Sequence, residues 1–186
     1  MRSRRAWLRR AAALCATAAA WPLAVRANEL TVGAAAPPLE LHTLDGRRLA
    51  TQDLRGQVVL ATFWATWCDP CREELPLVSA YAARHAHDGL VVLGFSLDGA
   101  DALPKVRQVA ATLSFPVGLL GSPWAGGYGR IWRIPVSFVI DREGILRYDG
   151  WQARDPVWTQ ATLDEVLGPL LREAGRYRVQ SRMSAS

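Results

Sequence analysis

The chain carries the run Phe63-Trp64-Ala65-Thr66-Trp67-Cys68-Asp69-Pro70-Cys71-Arg72-Glu73-Glu74-Leu75-Pro76. An uninterrupted apolar segment, residues 58–63, leads into this run and predicts a buried strand. After Cys71 the apolar residues recur at helical spacing, which predicts a helix. Cys68 and Cys71 are therefore expected on a strand-to-helix turn, at the start of the helix.

This position has chemical consequences for the two cysteines. The unpaired amides and the dipole at a helix N-terminus favour a thiolate at Cys68, and the thiolate is the reactive form of cysteine. Two intervening residues let the sulfurs meet with little backbone movement, so a disulfide between Cys68 and Cys71 can open and close reversibly. Pro70 removes an amide that would lack a partner in the first helical turn. Asp69 opposes the Cys68 thiolate, which favours a reducing pair.

The cysteine pair has two other possible interpretations. A structural zinc site would need a second pair of ligands, and the sequence has no other CxxC and no His-x3-5-His. An inert structural disulfide is the other alternative, but a bridge across two residues constrains little of the unfolded chain. The sequence favours redox chemistry, with no metal and no cofactor besides the Cys68–Cys71 disulfide.

The cysteine run also carries a family resemblance. Trp-Cys-x-Pro-Cys after an apolar strand resembles the thioredoxin superfamily, and FWATWCDPCREELP resembles its TlpA/ResA-like branch of bacterial extracytoplasmic thiol-disulfide oxidoreductases. The similarity extends from about Val32 to Leu171. It implies an α/β, thioredoxin-like fold with an N-terminal β-hairpin and an inserted helix, in which helices flank a central mixed sheet.

A second segment, RIPVSFVID, is similar to the part of the family that carries a cis-proline against the cysteine pair. The resemblance therefore implies a cis bond between Ile134 and Pro135. Such a bond would expose the backbone of Ile134 beside the disulfide, where an extended substrate could pair with it. Trp132 and Arg133 precede it, so we expect a bulkier and more basic substrate surface than is usual in the family.

Glu74 lies three residues after Cys71 and should share its helical face. From the residues alone, a solvated carboxylate in the first helical turn is the favoured interpretation. The resemblance implies instead a partly buried glutamate that accepts and returns the proton of the resolving thiol. Thioredoxins proper carry an aspartate where this chain has Thr62. Trp67 is expected beside the active-site sulfurs, in contact with substrate.

The first 27 residues are predicted to be a cleaved signal peptide. Five arginines surround an apolar stretch, residues 11–25, and Val25-Arg26-Ala27 supplies a cleavage site before Asn28. The run from Ser3 to Arg9 resembles a twin-arginine export signal, and an ordinary Sec signal is the alternative. Either route predicts a periplasmic or otherwise extracytoplasmic protein.

This leader also accounts for the basic charge of the chain. The chain has 22 Lys and Arg against 17 Asp and Glu, and six of the arginines lie in the leader. Without the leader, 16 basic side chains face 17 acidic ones, so nothing in the charge favours nucleic-acid binding. Cys15 leaves with the leader, and the mature chain then holds only the CxxC pair, in an oxidising compartment.

The remaining chain predicts one thioredoxin-like domain, residues 28–175, followed by a flexible tail, residues 176–186. The pattern predicts the following elements: a hairpin over 39–50 turning at Asp45-Gly46, a strand over 90–96, a helix over 101–113, a short strand over 115–120, a loop with a short helix over 121–129, a hairpin over 136–148, and a closing helix kinked or broken at Gly168-Pro169.

The favoured function is reduction of disulfides in exported proteins. By resemblance, the clients would be the haem-binding cysteines of apocytochromes c or the copper-site cysteines of an oxidase subunit, and a membrane thiol-electron carrier would re-reduce the pair. Two alternatives stay open: an oxidant that introduces disulfides, and a non-enzymatic copper carrier with the cysteines as soft ligands. A peroxidase would want a Thr-x-x-Cys site, which the sequence lacks.

Overall fold

A computed structural model describes residues 30–173. The predicted signal peptide, residues 1–27, and the predicted tail, residues 176–186, lie outside the described residues. Within the part described, no helix is long and apolar enough to cross a membrane.

The described chain forms two sheets and three α-helices. The strands are Glu40–His42 (β1), Arg48–Ala50 (β2), Val58–Trp64 (β3), Leu90–Ser96 (β4), Val117–Leu119 (β5), Val136–Ile140 (β6) and Leu146–Asp149 (β7). The helices are Asp69–His85 (α1), Leu103–Ala110 (α2) and Gln160–Arg172 (α3), and short 3-10 turns lie at Thr51–Leu54, Ala86–Asp88, Ala100–Ala102 and Gly126–Tyr128.

The central sheet has five strands in the order β5-β4-β3-β6-β7. Strands β3, β4 and β5 are parallel, whereas β6 and β7 run antiparallel to their neighbours, so the sheet is mixed, as the sequence predicts. All seven residues of β3 are buried, because this strand has neighbours on both edges and apolar layers on both faces. Because β3 and β6 run antiparallel, with Phe63 opposite Val136, the C-terminal end of β3 and the start of β6 lie side by side at the same end of the sheet.

Alternate residues of β3 point into two apolar layers. Val58 and Leu60 belong to the layer that all three α-helices cover, with Leu75 of α1, Val106 of α2 and Leu163 of α3. On the opposite face, the apolar layer is closed by the N-terminal segment and the loop before β6, through the following residues: Leu39, Leu41, Ala125, Tyr128 and Ile131. The three helices thus pack on the same face of the sheet, and the cysteine pair belongs to the apolar layer between them and the sheet.

The predicted N-terminal hairpin is present. Strands β1 and β2 pair antiparallel with Glu40 opposite Ala50, and Gly46 takes a φ of +86° in the turn between them. That left-handed conformation is open to glycine without steric cost, which is why the Asp-Gly pair marks the turn. The Leu44 amide donates to the Val117 carbonyl at 2.8 Å, so the hairpin is joined to the edge strand β5.

Two predicted helix features differ from the structure. Of the kink or break expected at Gly168-Pro169, the break is wrong, since α3 runs through both residues. Leu163, Leu167 and Leu171 of this helix are buried, and their packing outweighs the hydrogen bond that a proline removes. The inserted helix is shorter than predicted, because residues 100–102 form a separate 3-10 turn before α2.

Candidate active site

The two cysteines lie where the sequence places them, between the end of β3 and the start of α1. Cys68 is the N-cap residue of α1, and its Sγ accepts a hydrogen bond from the Cys71 amide at 3.3 Å. Pro70 occupies the first helical turn. The sulfurs are bonded to each other, with the two Cα atoms 5.3 Å apart. The Cys71 amide at this helix start points at the Cys68 sulfur, and a hydrogen bond from an amide to the sulfur stabilises a thiolate there.

The two sulfur-bearing residues differ in accessibility. Cys71 is fully buried, whereas Cys68 keeps 6% of its surface exposed. Most of Cys68 is therefore covered by the turn and its neighbours in the disulfide form. It is nevertheless the sulfur of the pair that solvent or a substrate can reach. Trp67, the residue before it, is 66% exposed.

Glu74 is more deeply buried than predicted. Its side chain follows Cys71 by one helical turn and is only 2% exposed. Its Oε2 accepts a hydrogen bond from the Trp158 amide at 2.8 Å, while Oε1 has no hydrogen-bond partner. Burial raises the pKa of Glu74 to about 7, against the opposing effect of the Trp158 amide, and Asp155 adds to the rise. The carboxyl group is therefore poised between its two protonation states near neutral pH.

The segment that covers Glu74 comes from the far end of the domain. Trp158 precedes α3, is buried, and packs its ring against Tyr148 at a centroid distance of 4.9 Å. Burial raises the pKa of Tyr148, and the charge of Glu74 contributes to that rise. The role of Trp158 leaves no trace in the sequence, because its backbone amide, and not its side chain, makes the contact, and no motif marks such a donor.

The Asp69 and Arg72 side chains form an ion pair on the surface of the first turn of α1. Asp69 therefore lies next to Cys68 together with the Arg72 cation, which offsets part of its charge. Arg72 is three residues further along the helix and reaches back to the carboxylate. Because both side chains are largely exposed, solvent screens their effect on the cysteine. Glu73 is exposed, as expected.

The peptide bond between Ile134 and Pro135 is cis, as the resemblance implies. Pro135 is buried, and the half-buried Ile134 packs against the apolar layer that includes both cysteines. Arg133, expected to make the substrate surface more basic, is half-buried. Its guanidinium donates to the carbonyl oxygens of Gly150 and Trp151, at 2.7 and 3.1 Å, and is held in the loop after β7.

Trp132, in contrast, remains available to a binding partner. Its side chain is 71% exposed and stacks on Trp151 with the ring centroids 5.6 Å apart. The surface near the cis-proline therefore presents an exposed aromatic side chain. No group of three or more His, Cys, Asp or Glu side chains that could hold a metal ion occurs among residues 30–173.

Comparison with known proteins agrees with this geometry. Residues 32–149 match the AhpC/TSA family. Over 118 residues, the chain is 31% identical to the thiol-disulfide oxidoreductase ResA of Bacillus thuringiensis (strain Al Hakam), covering 63% of this chain and 68% of ResA. It is 34% identical over 118 residues to the thioredoxin-like protein YneN of Bacillus subtilis (strain 168), covering 62% of this chain and 68% of YneN.

A solved structure shows the same fold. The crystal structure of a putative thiol:disulfide interchange protein DsbE from Chlorobium tepidum superposes with a TM-score of 0.61 at 27% identity, covering 78% of this chain and 99% of that one. The residues that match the AhpC/TSA family, 32–149, include the CxxC turn, the central sheet and the cis-proline segment. The chain therefore belongs to the AhpC/TSA family of thioredoxin-like proteins, and it is a thiol-disulfide oxidoreductase that carries the Cys68–Cys71 pair.

Proposed function

We propose that this oxidoreductase works outside the cytoplasm and reduces disulfides in exported proteins. The observation that carries the proposal is the buried Glu74, whose pKa of about 7 suits a group that exchanges protons with a neighbouring thiol at neutral pH. A buried carboxylate one turn from Cys71 also opposes the accumulation of negative charge on the cysteine pair. Arg72, the cation within the motif, is already paired with Asp69.

The proposed reaction begins from the dithiol form. The Cys68 thiolate attacks one sulfur of the client disulfide, forming a mixed disulfide and releasing the other client sulfur as a thiolate that takes up a proton. Glu74 then accepts the proton of the Cys71 thiol. The resulting Cys71 thiolate attacks the Cys68 sulfur, and the second client sulfur leaves as a thiolate that takes up the proton held by Glu74. The client has gained two electrons and two protons, and the enzyme is left with the Cys68–Cys71 disulfide.

Regeneration requires two electrons from outside the domain, and we assign their delivery to a membrane thiol-electron carrier. Trp67 and the Ile134 backbone flank the mixed disulfide in this mechanism and contact the client chain. Cysteine pairs of apocytochromes c, or of an oxidase subunit that binds copper, are suitable clients, because each must be held reduced to receive its haem or metal.

The direction of electron flow can be tested by the reduction potential. We expect a value nearer that of thioredoxin, about −270 mV, than that of a strong oxidant, about −120 mV, because Glu74 is buried one turn from Cys71 and the Arg72 cation is paired with Asp69. Equilibration of the purified protein with glutathione buffers, followed by alkylation and mass analysis, gives the potential. A value near that of the strong oxidant would support the alternative of a disulfide-introducing enzyme.

The Asp69–Arg72 pair supplies the matched variant for this measurement. Asp69→Asn leaves the Arg72 cation without its carboxylate partner near Cys68, so we expect the potential to become more oxidising. Asp53→Asn changes an exposed carboxylate in a different part of the chain and is expected to leave the potential unchanged. An unchanged potential in Asp69→Asn would show that this ion pair does not tune the cysteines.

The proposed location is supported by the composition of residues 1–27 and can be tested separately. We expect the exported form to begin at Asn28, because small residues precede that position at the predicted cleavage site. Mass analysis of the protein from the extracytoplasmic fraction measures the N-terminus directly. Recovery of the uncleaved chain from the membrane fraction would contradict the predicted cleavage and would leave the redox chemistry unaffected.

A further inference from the structure

A buried carboxylate outside the cysteine motif is bonded to the turn that carries Cys68. Asp98 follows the end of β4 and is 5% exposed. Its Oδ2 accepts from the Thr66 amide at 2.8 Å, and its Oδ1 accepts from the Thr66 hydroxyl at 2.6 Å. The Ser96 hydroxyl donates to the same Oδ2 at 2.7 Å, and the Asp98 amide donates back to Ser96 at 3.1 Å.

These bonds hold the short segment between β3 and α1. The Cys68 amide donates to the Ala65 carbonyl at 3.2 Å, so residues 65–68 form one turn, and Thr66 is the residue of that turn bonded to Asp98. The chain is also fixed just before this turn, because the Leu97 amide donates to the Trp64 carbonyl at 2.8 Å. The turn is thus tied to the end of β4 on the side away from the cis-proline.

Burial makes this attachment strong. A carboxylate removed from water is tolerated only when donors satisfy it, and Thr66 supplies two of the three side-chain bonds described for Asp98. Any movement of the turn away from β4 would leave the carboxylate buried without these donors. That cost confines Thr66, and with it Trp67 and Cys68, to one arrangement.

The same turn shapes the surface beside the sulfur. Trp67 and Asp98 both line an open groove of about 380 Å³, together with apolar residues from the ends of β4 and β5: Leu97, Leu119, Leu120 and Pro123. The side chain of Trp67 can form a wall of this groove only if its backbone is held in place. Fixing the turn therefore fixes both the attacking sulfur and the adjacent apolar surface.

We propose that Asp98 is a positioning residue that acts through Thr66 to hold Cys68 and Trp67 in the geometry required for attack on a disulfide. Attack requires the thiolate to approach along the axis of the sulfur–sulfur bond, so a small displacement of Cys68 slows the reaction. The inference rests on the Cys68 chemistry of the proposed function but not on the direction of electron flow. A potential that contradicts the reductant role would therefore leave it intact.

The experiment uses two variants that each remove one hydroxyl donor from the same carboxylate. Thr66→Val breaks the bond on the cysteine turn, and Ser96→Ala breaks the bond on β4. The readout is the second-order rate at which the pre-reduced protein reacts with a disulfide-bonded peptide, measured in a single turnover without added reductant. We expect Thr66→Val to slow the reaction about tenfold and Ser96→Ala to change it less than about twofold, because only Thr66 lies on the turn.

A double-mutant cycle then connects the two residues. Asp98→Ala removes all the acceptors and should slow the reaction by more than about tenfold. If Asp98 acts through Thr66, the Asp98→Ala/Thr66→Val double variant is no slower than Asp98→Ala alone. Multiplication of the two separate effects would overturn the proposal, and so would equal losses in Thr66→Val and Ser96→Ala, which indicate a purely structural role.

The pair of hydroxyl variants keeps the test decisive if Asp98→Ala does not fold. Circular dichroism at the assay temperature establishes that each variant is folded before its rate is compared. The reduction potential of each variant is measured in parallel, and we expect it to stay unchanged, since the proposal concerns geometry and not the stability of the disulfide. A rate loss fully accounted for by a shifted potential would contradict positioning.

Discussion

Replacing Cys68 by serine is expected to abolish disulfide exchange, with a rate loss of at least about a thousandfold, because the alcohol cannot replace the thiolate as nucleophile. Cys68 is the more accessible of the two sulfurs and caps the N-terminus of α1, where amides stabilise its anion. The rate of reduction of a disulfide-bonded peptide by the pre-reduced protein measures the loss.

Replacing Cys71 by serine has a different expected result. Attack by Cys68 should still occur, but the mixed disulfide has no internal thiol to resolve it and should accumulate as a covalent complex with the client. Non-reducing electrophoresis and mass analysis of the complex would identify both the client and the attached cysteine. The Cys68→Ser/Cys71→Ser double variant is the control and should trap nothing.

Alkylation of the reduced parent protein provides an independent check on this order. Cys68 should be labelled first, since Cys71 is fully buried in the turn behind it. Faster labelling of Cys71, or covalent complexes that form in Cys68→Ser and not in Cys71→Ser, would reverse the roles of the two cysteines.

The parts of the site that could be predicted are those fixed by local sequence. The strand–turn–helix with Cys68 as its N-cap follows from an apolar run, Pro70 and helical spacing within 30 residues of chain. The hairpin turn at Gly46 is equally local. The cis bond before Pro135 could not have been chosen from the residues alone, because trans is the commoner state, and the resemblance supplied it.

The features that the sequence did not predict depend on tertiary contacts. Glu74 and Trp158 are 84 residues apart, and Thr66 and Asp98 are 32 apart. Both pairs join a carboxylate to a backbone amide, a donor that every residue except proline carries and that leaves no trace in the sequence. Arg72 is near Asp69 in sequence, but whether it folds back or extends into water depends on its rotamer, which the pattern does not determine.

The two buried carboxylates near the cysteines, Asp98 and Glu74, have different proposed roles. Asp98 is satisfied by hydrogen bonds from three neutral groups and holds the turn before Cys68. Glu74 has a single described hydrogen bond and an oxygen without a partner. Burial therefore favours its protonated form and raises its pKa. A carboxylate left with an unpaired oxygen in the interior can take up a proton at neutral pH, and this distinguishes the proton-exchanging group from the positioning one.

Glu74→Gln is expected to slow resolution of the mixed disulfide by about ten- to a hundredfold at pH 7, because the amide cannot accept the Cys71 proton. In the parent protein the resolution rate should rise with pH through about 7 as Glu74 becomes ionised. The variant should lack this rise. Stopped-flow measurement of the decay of a mixed disulfide with a chromophoric thiol gives both profiles. Glu73→Gln, an exposed neighbour, is the matched control and should follow the parent.

The same substitution should change how stability depends on pH. The pKa of Glu74 is raised in the folded protein from 4.5 to about 7, so the stability associated with its neutral form is fully present below pH 4.5 and is lost as the pH rises through about 7. Glu74→Gln cannot ionise and escapes this loss. Its stability relative to the parent should therefore increase between pH 4.5 and pH 8, by on the order of 3 kcal/mol.

Urea unfolding of the oxidised proteins at a series of pH values measures this difference, because m-values and midpoints give the free energy of unfolding for each variant. Glu73→Gln removes a carboxylate from the same helical turn but from its solvent-facing side, so its difference from the parent should change little over the same range. If Glu74→Gln instead follows the parent at every pH, Glu74 titrates alike in the folded and unfolded chain. It would then not be the proton acceptor held ready for Cys71, and the reductive mechanism would need another base.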